Sequence, residues 1–201
     1  MYMVKEISQI NQNINMPRIN VIEHDEATGK LKEIYDGLTK SRGKLAEVHK
    51  IQSLRPKSIV AHMDLYMEIM YSRSDLTRAE RELIATIVSI TNGCKYCTKH
   101  HAEALNFYWK DDSRIDKLIK EELDEILSPK EMALSKFAKH LTNNPDQHEN
   151  IDYTQKLRNL ELSDAAILDV VLVTAYFNFV NRIVLSLGVN LEVDEGAGYK
   201  Y

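Results

Sequence analysis

Twenty-three residues towards the end of the chain, AAILDVVLVTAYFNFVNRIVLSL at positions 165–187, constrain the fold most. Ser163 and Asp164 precede them as helix caps, and Gly188 follows as a stop signal. The β-branched run VVLV would suit a strand, but the length of the stretch and its flanks select a buried helix. Val170, Val171, Leu172, Val173, Tyr176, Phe177 and Phe179 leave that helix apolar nearly all round, and such a helix is normally buried on every side. In a chain of 201 residues that burial takes core and subunit contacts together, so a homo-oligomer is expected.

The remaining signals are helical too. A modest amphipathic helix is expected from Glu26 to about Leu38, led by Asp25, then a turn at Gly43 and a short helix over residues 45–54. Pro56 opens PKSIVAHMDLYMEIMYS, where Ile59, Met63, Tyr66 and Met70 recur at helical spacing. Thr77 with Glu80, and Ser128 with Glu131, form capping boxes, the first starting a helix near Arg78 and the second starting EMALSKFAKHLT. Asn92 and Gly93 break the first of these, and a new helix begins at or beside Cys94. NNPDQHEN reads as a loop. With no hairpin signal and no βαβ alternation, the class is all-α. One domain over residues 21–190 is expected, with an N-terminal extension (1–20), poorly ordered or packed on a neighbouring subunit, and a C-terminal tail (191–201).

LTRAERELIATIVSITNGCKYC and LSDAAILDVVLVTAYFNFVNRI share a capped start and a long apolar helix, and Asn92 falls opposite Asn178. In that register Val180 and Ile183 stand where Cys94 and Cys97 do. The echo implies two related helical units, one carrying chemistry, although two apolar helices also resemble each other by chance.

Twenty-six basic against thirty acidic residues give a net charge of −4, with no Lys/Arg block, so neither nucleic acid nor an anionic membrane is an expected partner. No run of eighteen apolar residues occurs, and MYMVKEISQINQNINMPRIN has neither an apolar core nor a small-residue cleavage site. A cytoplasmic protein is the expectation. In a reducing compartment a lone C-x-x-C is more often catalytic or metal-binding than a structural disulfide.

Both cysteines of the chain lie in ITNGCKYCTKHHAEAL. On a helix beginning near Cys94, the side chains of Cys94, Cys97 and His101 form one stripe, whereas His100 is rotated about 100° away. Cys94 falls in the first turn, where free N–H groups and the positive dipole end stabilise a thiolate. Such positions lower a thiol pKa from about 8.5 to roughly 3.5–7.5. His101, one turn beyond Cys97, can take its proton, which is the arrangement of an activated nucleophile with a second thiol in reach.

Other readings stay open. Cys94, Cys97, a histidine and Glu82 are enough ligands for zinc, although structural sites usually draw two from a second knuckle. Two inert buried thiols are the third reading, against which Lys95, Tyr96 and the paired histidines argue for partial exposure. Glu82 lies on the smaller, more polar side of ERELIATIVSI with Ala85, Thr86 and Ser89, opposite the apolar stripe of Leu83, Ile84, Ile87, Val88 and Ile90. From the residues alone it is a surface side chain pairing with Arg78.

RELIATIVSITNGCKYCTKHHAEAL resembles the alkylhydroperoxidase D and carboxymuconolactone decarboxylase family. Glu82 is followed by Cys94 twelve residues on, then Cys97, then His101 four residues later. SLRPKSIVAHMDLYMEIMYS and AYFNFVNRIVLSLGV extend the likeness to the peroxidase-related branch, over about residues 20–190. The resemblance implies an all-helical fold with the signature helices as a hairpin, assembled into trimers or hexamers. It implies reduction of organic hydroperoxides or hydrogen peroxide, without haem, metal or other cofactor. Cys97 would be the peroxidatic thiol that becomes a sulfenic acid, and Cys94 the proton donor that closes the disulfide. His101 would activate Cys97, and Glu82 would orient His101. An external dithiol, of lipoyl or thioredoxin type, would restore the thiols. Tyr96 stands where alkylhydroperoxidase D carries a relay histidine, which bears on relay efficiency and reductant choice. The decarboxylase branch lacks the cysteine pair, so lactone decarboxylation is disfavoured. The alternatives are a non-catalytic redox sensor or interaction protein of the same fold, or a zinc-stabilised structural module.

Overall fold

The computed structural model describes residues 17–192, so residues 1–16 of the expected extension and 193–201 of the expected tail lie outside the described residues. Every regular element among the described residues is helical. In chain order they are α1 (Gly29–Arg42), α2 (Glu47–Lys50), α3 (Pro56–Tyr71), α4 (Arg78–Thr91), α5 (Lys95–Trp109), α6 (Asp112–Ile119), α7 (Pro129–Asn143), a 3-10 turn (Pro145–Glu149), α8 (Gln155–Arg158) and α9 (Asp164–Leu187). They divide into two compact units: residues 17–61 with 183–192, and residues 62–182.

In the first unit, α1 starts three residues later than the sequence pattern predicts, because a turn closed by Glu26 N–H on the Glu23 carbonyl occupies the stretch before it. Buried Tyr35 of α1 donates its hydroxyl to the Ile22 carbonyl at 3.1 Å, and Ile22 N–H bonds to Ser53 Oγ at 3.0 Å. The end of α9 has carbonyls without intrahelical partners. The Arg18 guanidinium donates to those of Leu185 and Ser186, each at 2.9 Å, and Gly188 stops the helix with φ of +70°.

In the second unit both predicted capping boxes form, Thr77 with Glu80 and Ser128 with Glu131. Helix α4 is buried without a break from Arg81 to Ser89. This corrects the expectation of a polar outer side: Ala85, Thr86 and Ser89 are as buried as the apolar stripe. Those residues are small, and the Thr86 and Ser89 hydroxyls donate back to the Glu82 and Ala85 carbonyls at 2.8 and 2.7 Å, so their polar groups need no water.

Helix α9 is buried along Val170, Val173, Phe177 and Val180, but Leu168, Leu172 and Phe179 are exposed, so within one chain it is not covered on every side. By length and composition α9 would also cross a bilayer. Its fully buried Thr174 and Asn181 are both hydrogen-bonded, which fits a helix packed in a protein core.

Candidate active site

Local chain chemistry builds the site. The Thr77 box fixes where α4 begins, and so fixes Glu82 near its start. After Thr91, Gly93 takes φ of +66°, a conformation that disfavours side chains, and Cys94 N–H returns to the Ser89 carbonyl at 2.9 Å. Cys94 thereby becomes the N-cap of α5, and the chain reverses so that His101 comes back alongside Glu82.

The two thiols are free, and their sulfurs lie 2.9 Å apart. The expected partial exposure does not hold: Cys94 is 0% and Cys97 2% exposed, and Tyr96 is itself buried against the His100 ring. In this coupled pair a hydrogen bond from Cys97 lowers the Cys94 pKa, outweighing burial, and the Cys97 backbone N–H adds to the effect. Cys97 is raised, first by that shared proton and then by burial. The pair loses its first proton as a unit, and the charge rests on Cys94 at the helix N-terminus.

Glu82 is fully buried, which overturns the surface placement. It pairs with Arg78 as the spacing predicts, Arg78 Nη2 donating to Oε1 at 2.6 Å, and its other oxygen lies 2.7 Å from His101 Nδ1. Burial pushes the Glu82 carboxyl up, but the His101 and then the Arg78 contacts more than offset this and hold it below the ordinary carboxylate range. A carboxylate only accepts, so Nδ1 carries the proton, and the Nε2 of a neutral His101 is left as an acceptor. Phe177 of α9 packs edge-on against the imidazole at 4.3 Å. The hydrogen bond His101 makes is to Glu82; among the described residues none joins it to either sulfur.

Several contacts here were not foreseen from the sequence. The Arg78 guanidinium lies 3.7 Å from the Tyr71 ring centroid, donates to the Met70 carbonyl at 2.5 Å and reaches the Tyr66 hydroxyl at 3.2 Å. Asn181, fully buried on α9, places its amide against Cys97, where it favours the thiolate. The same amide oxygen accepts from Asn92 Nδ2 at 3.1 Å, and Asn92 also donates to Asn178 at 3.0 Å. The alignment of Asn92 with Asn178 was the available signal, but it did not reach Asn181. Among the described residues no three His, Cys, Asp or Glu side chains are arranged to hold a metal ion.

Residues 59–139 match the carboxymuconolactone decarboxylase family model. The crystal structure of the alkylhydroperoxidase AhpD core of a peroxidase-related protein from Ralstonia eutropha JMP134 superposes with a TM-score of 0.79 at 24% identity, covering 90% of this chain and 94% of that one. Over residues 59–139 the chain is similar to the carboxymuconolactone decarboxylase family, and it has the fold of the alkylhydroperoxidase AhpD core. YdfG of Bacillus subtilis strain 168 is 27% identical over 135 residues, 67% of this chain and 90% of that protein. The debrominase Bmp8 has the same fold, with a TM-score of 0.72, 19% identity and coverage of 89% and 94%. One fold thus accommodates peroxidase-related proteins and a debrominase, so the reaction of this chain has to be argued from its own site.

Proposed function

We propose that the protein is a thiol-dependent peroxidase that reduces hydroperoxides through a Cys94/Cys97 dithiol–disulfide cycle. The observation that carries this reading is the pair of free sulfurs 2.9 Å apart at a helix N-terminus. The buried Arg78–Glu82–His101 chain on the same hairpin supports it.

The cycle starts with the Cys97 proton passing to the Cys94 thiolate across the sulfur contact. The Cys97 thiolate then attacks the distal peroxide oxygen; an S–O bond forms, the O–O bond breaks, and the alkoxide takes the proton from Cys94 and leaves as the alcohol. Cys97 is now a sulfenic acid. The Cys94 thiolate displaces its hydroxide to form the disulfide, and the hydroxide leaves as water with a proton supplied through His101, which Glu82 orients. An external dithiol, of lipoyl or thioredoxin type, takes up the disulfide by exchange. In this reading the protein is cytoplasmic, binds neither nucleic acid nor membrane, and works as a homo-oligomer, trimer or hexamer. The exposed Leu168, Leu172 and Phe179 of α9 support self-association.

The test is thiol titration before and after one equivalent of cumene hydroperoxide, with turnover followed under excess dithiothreitol. The expected result is loss of both thiols per chain, release of one cumyl alcohol, and repeated turnover. A single oxidation with no turnover would make the protein a sensor, and retention of both thiols would overturn the proposal.

A further inference from the structure

Away from the dithiol, the second unit contains a cavity of 580 Å³ between α7 and residues 153–157, sharing no residue with the site above. That volume falls within the range of small-molecule sites. Its floor is apolar, with Met132, Phe137 and Leu157 among the lining residues, and Phe137 and Leu157 are buried.

One wall is aromatic and locally fixed. The Tyr153 ring lies 4.1 Å from the His140 ring and 4.6 Å from that of His148. His140 Nε2 faces Gln147 Oε1 at 3.2 Å, and its Nδ1 lies 3.0 Å from His148 Nε2. Because an amide oxygen only accepts, neutral His140 carries its proton on Nε2, and His148 donates to Nδ1. These bonds hold the rings in place, so the wall stands before a ligand arrives.

The charge of the lining is one-sided. Lys136, Lys139 and Lys156 line the cavity and no carboxylate does, in a chain whose net charge is −4. Lys139 is neutralised by Glu121, whereas Lys136 and Lys156 have no acidic partner among the described residues. An apolar floor, a preset aromatic wall and two unpaired cations complement an aromatic body with one negative group. We propose that this cavity is a binding site for a small aromatic carboxylate, seated on Phe137 and Leu157, stacked on Tyr153, with its carboxylate between Lys136 and Lys156. The proposal does not rest on the peroxidase reading.

The probe is 2-naphthoate, titrated calorimetrically into the full chain at low salt beside the uncharged 2-naphthamide. Saturable one-site binding is expected, about tenfold weaker for the amide and about tenfold weaker again in the double variant Lys136→Glu/Lys156→Glu, since each exposed charge contact is worth up to about fivefold. Tyr153→Ala should weaken binding without changing the preference for the acid. The double variant Cys94→Ser/Cys97→Ser should bind as the wild type does. Absence of saturable heat, binding indifferent to the lysine reversals, or binding lost with the cysteines would each overturn the assignment; in the last case the ligand sits at the dithiol.

Discussion

Glu82→Gln separates a surface ion pair from a buried one by magnitude. Glutamine fills the same volume, but it removes the charge and sets its amide NH₂ against a donor, either Arg78 Nη2 or His101 Nδ1, now at 2.6 and 2.7 Å. An exposed pair at this spacing would be worth only a few tenths of a kcal/mol, about 0.3–0.5. Here the carboxylate is 0% exposed and its Arg78 partner 13%, and breaking a buried pair costs about 3–5 kcal/mol because the surviving charge is stranded. Arg78 keeps the Met70 carbonyl and the Tyr71 ring, which favours the lower end, about 3 kcal/mol. For a chain of this size that is a fall of roughly 6–12 °C in melting temperature. The double variant Arg78→Met/Glu82→Gln should lose less than Glu82→Gln alone, since no charge is stranded. The pH dependence follows from the sign of the shift. The folded pKa of Glu82 is depressed, so its contribution is whole above the ordinary 4.5 and is lost as pH falls through the lower folded value. The gap between wild type and Glu82→Gln should therefore hold at neutral pH and close only in acid. Urea unfolding at pH 7 with an unchanged m-value measures it, and a loss below about 0.5 kcal/mol would refute the buried-pair argument.

Two further outcomes follow from the same unit. Cys97→Ser should abolish sulfenic acid formation, while Cys94→Ser should trap a sulfenic acid on Cys97; a sulfenic-acid probe that labels Cys94 in Cys97→Ser at the wild-type rate would reverse the two roles. Burial of His62 against the Tyr176 and Phe179 rings pushes its pKa down from 6.5 to about 4. The unfolded chain therefore binds a proton that the fold refuses, and stability should fall by up to about 3 kcal/mol as pH drops from 6.5 to 4, a slope that His62→Phe should flatten in denaturation midpoints.

The sequence was most legible where a signal is local. Capping boxes, Gly93 and Gly188 act through their own turns, and each sits in the structure where its chemistry requires. Hydrophobic periodicity found the helices but misread their surroundings on α4. There, alanine and hydroxyl residues marked a polar side, yet small residues invite close packing and back-bonded hydroxyls tolerate burial, so that side went inside with Glu82. On α9, the expectation divided the burial of the apolar circumference between the core and subunit contacts, and within one chain Leu168, Leu172 and Phe179 are exposed. The spacing of Cys94, Cys97 and His101 was readable because one helix carries all three. Partners supplied by other helices, such as Asn181 to Cys97 and Phe177 to His101, leave no mark at any fixed spacing.

The internal echo gains a physical meaning from those partners. Asn92 and Asn178, which the register sets opposite one another, are bonded to each other at 3.0 Å, so the two matched helices meet at their matched positions. From there the roles diverge. After Asn92 the chain breaks at Gly93 and restarts as α5, which brings two sulfurs to a helix N-terminus. After Asn178 the helix continues, and the next turn delivers Asn181, whose amide is shared among Asn92, Ser89 and the Cys97 thiol. The second repeat thus brings a buried side chain against the dithiol of the first. A dithiol buried in an apolar core would be driven towards the inert, protonated state. Here the Cys94 thiolate is favoured by the hydrogen bond from Cys97 and by its place at a helix N-terminus, and the Asn181 amide of the other repeat favours the thiolate at Cys97 against the effect of burial.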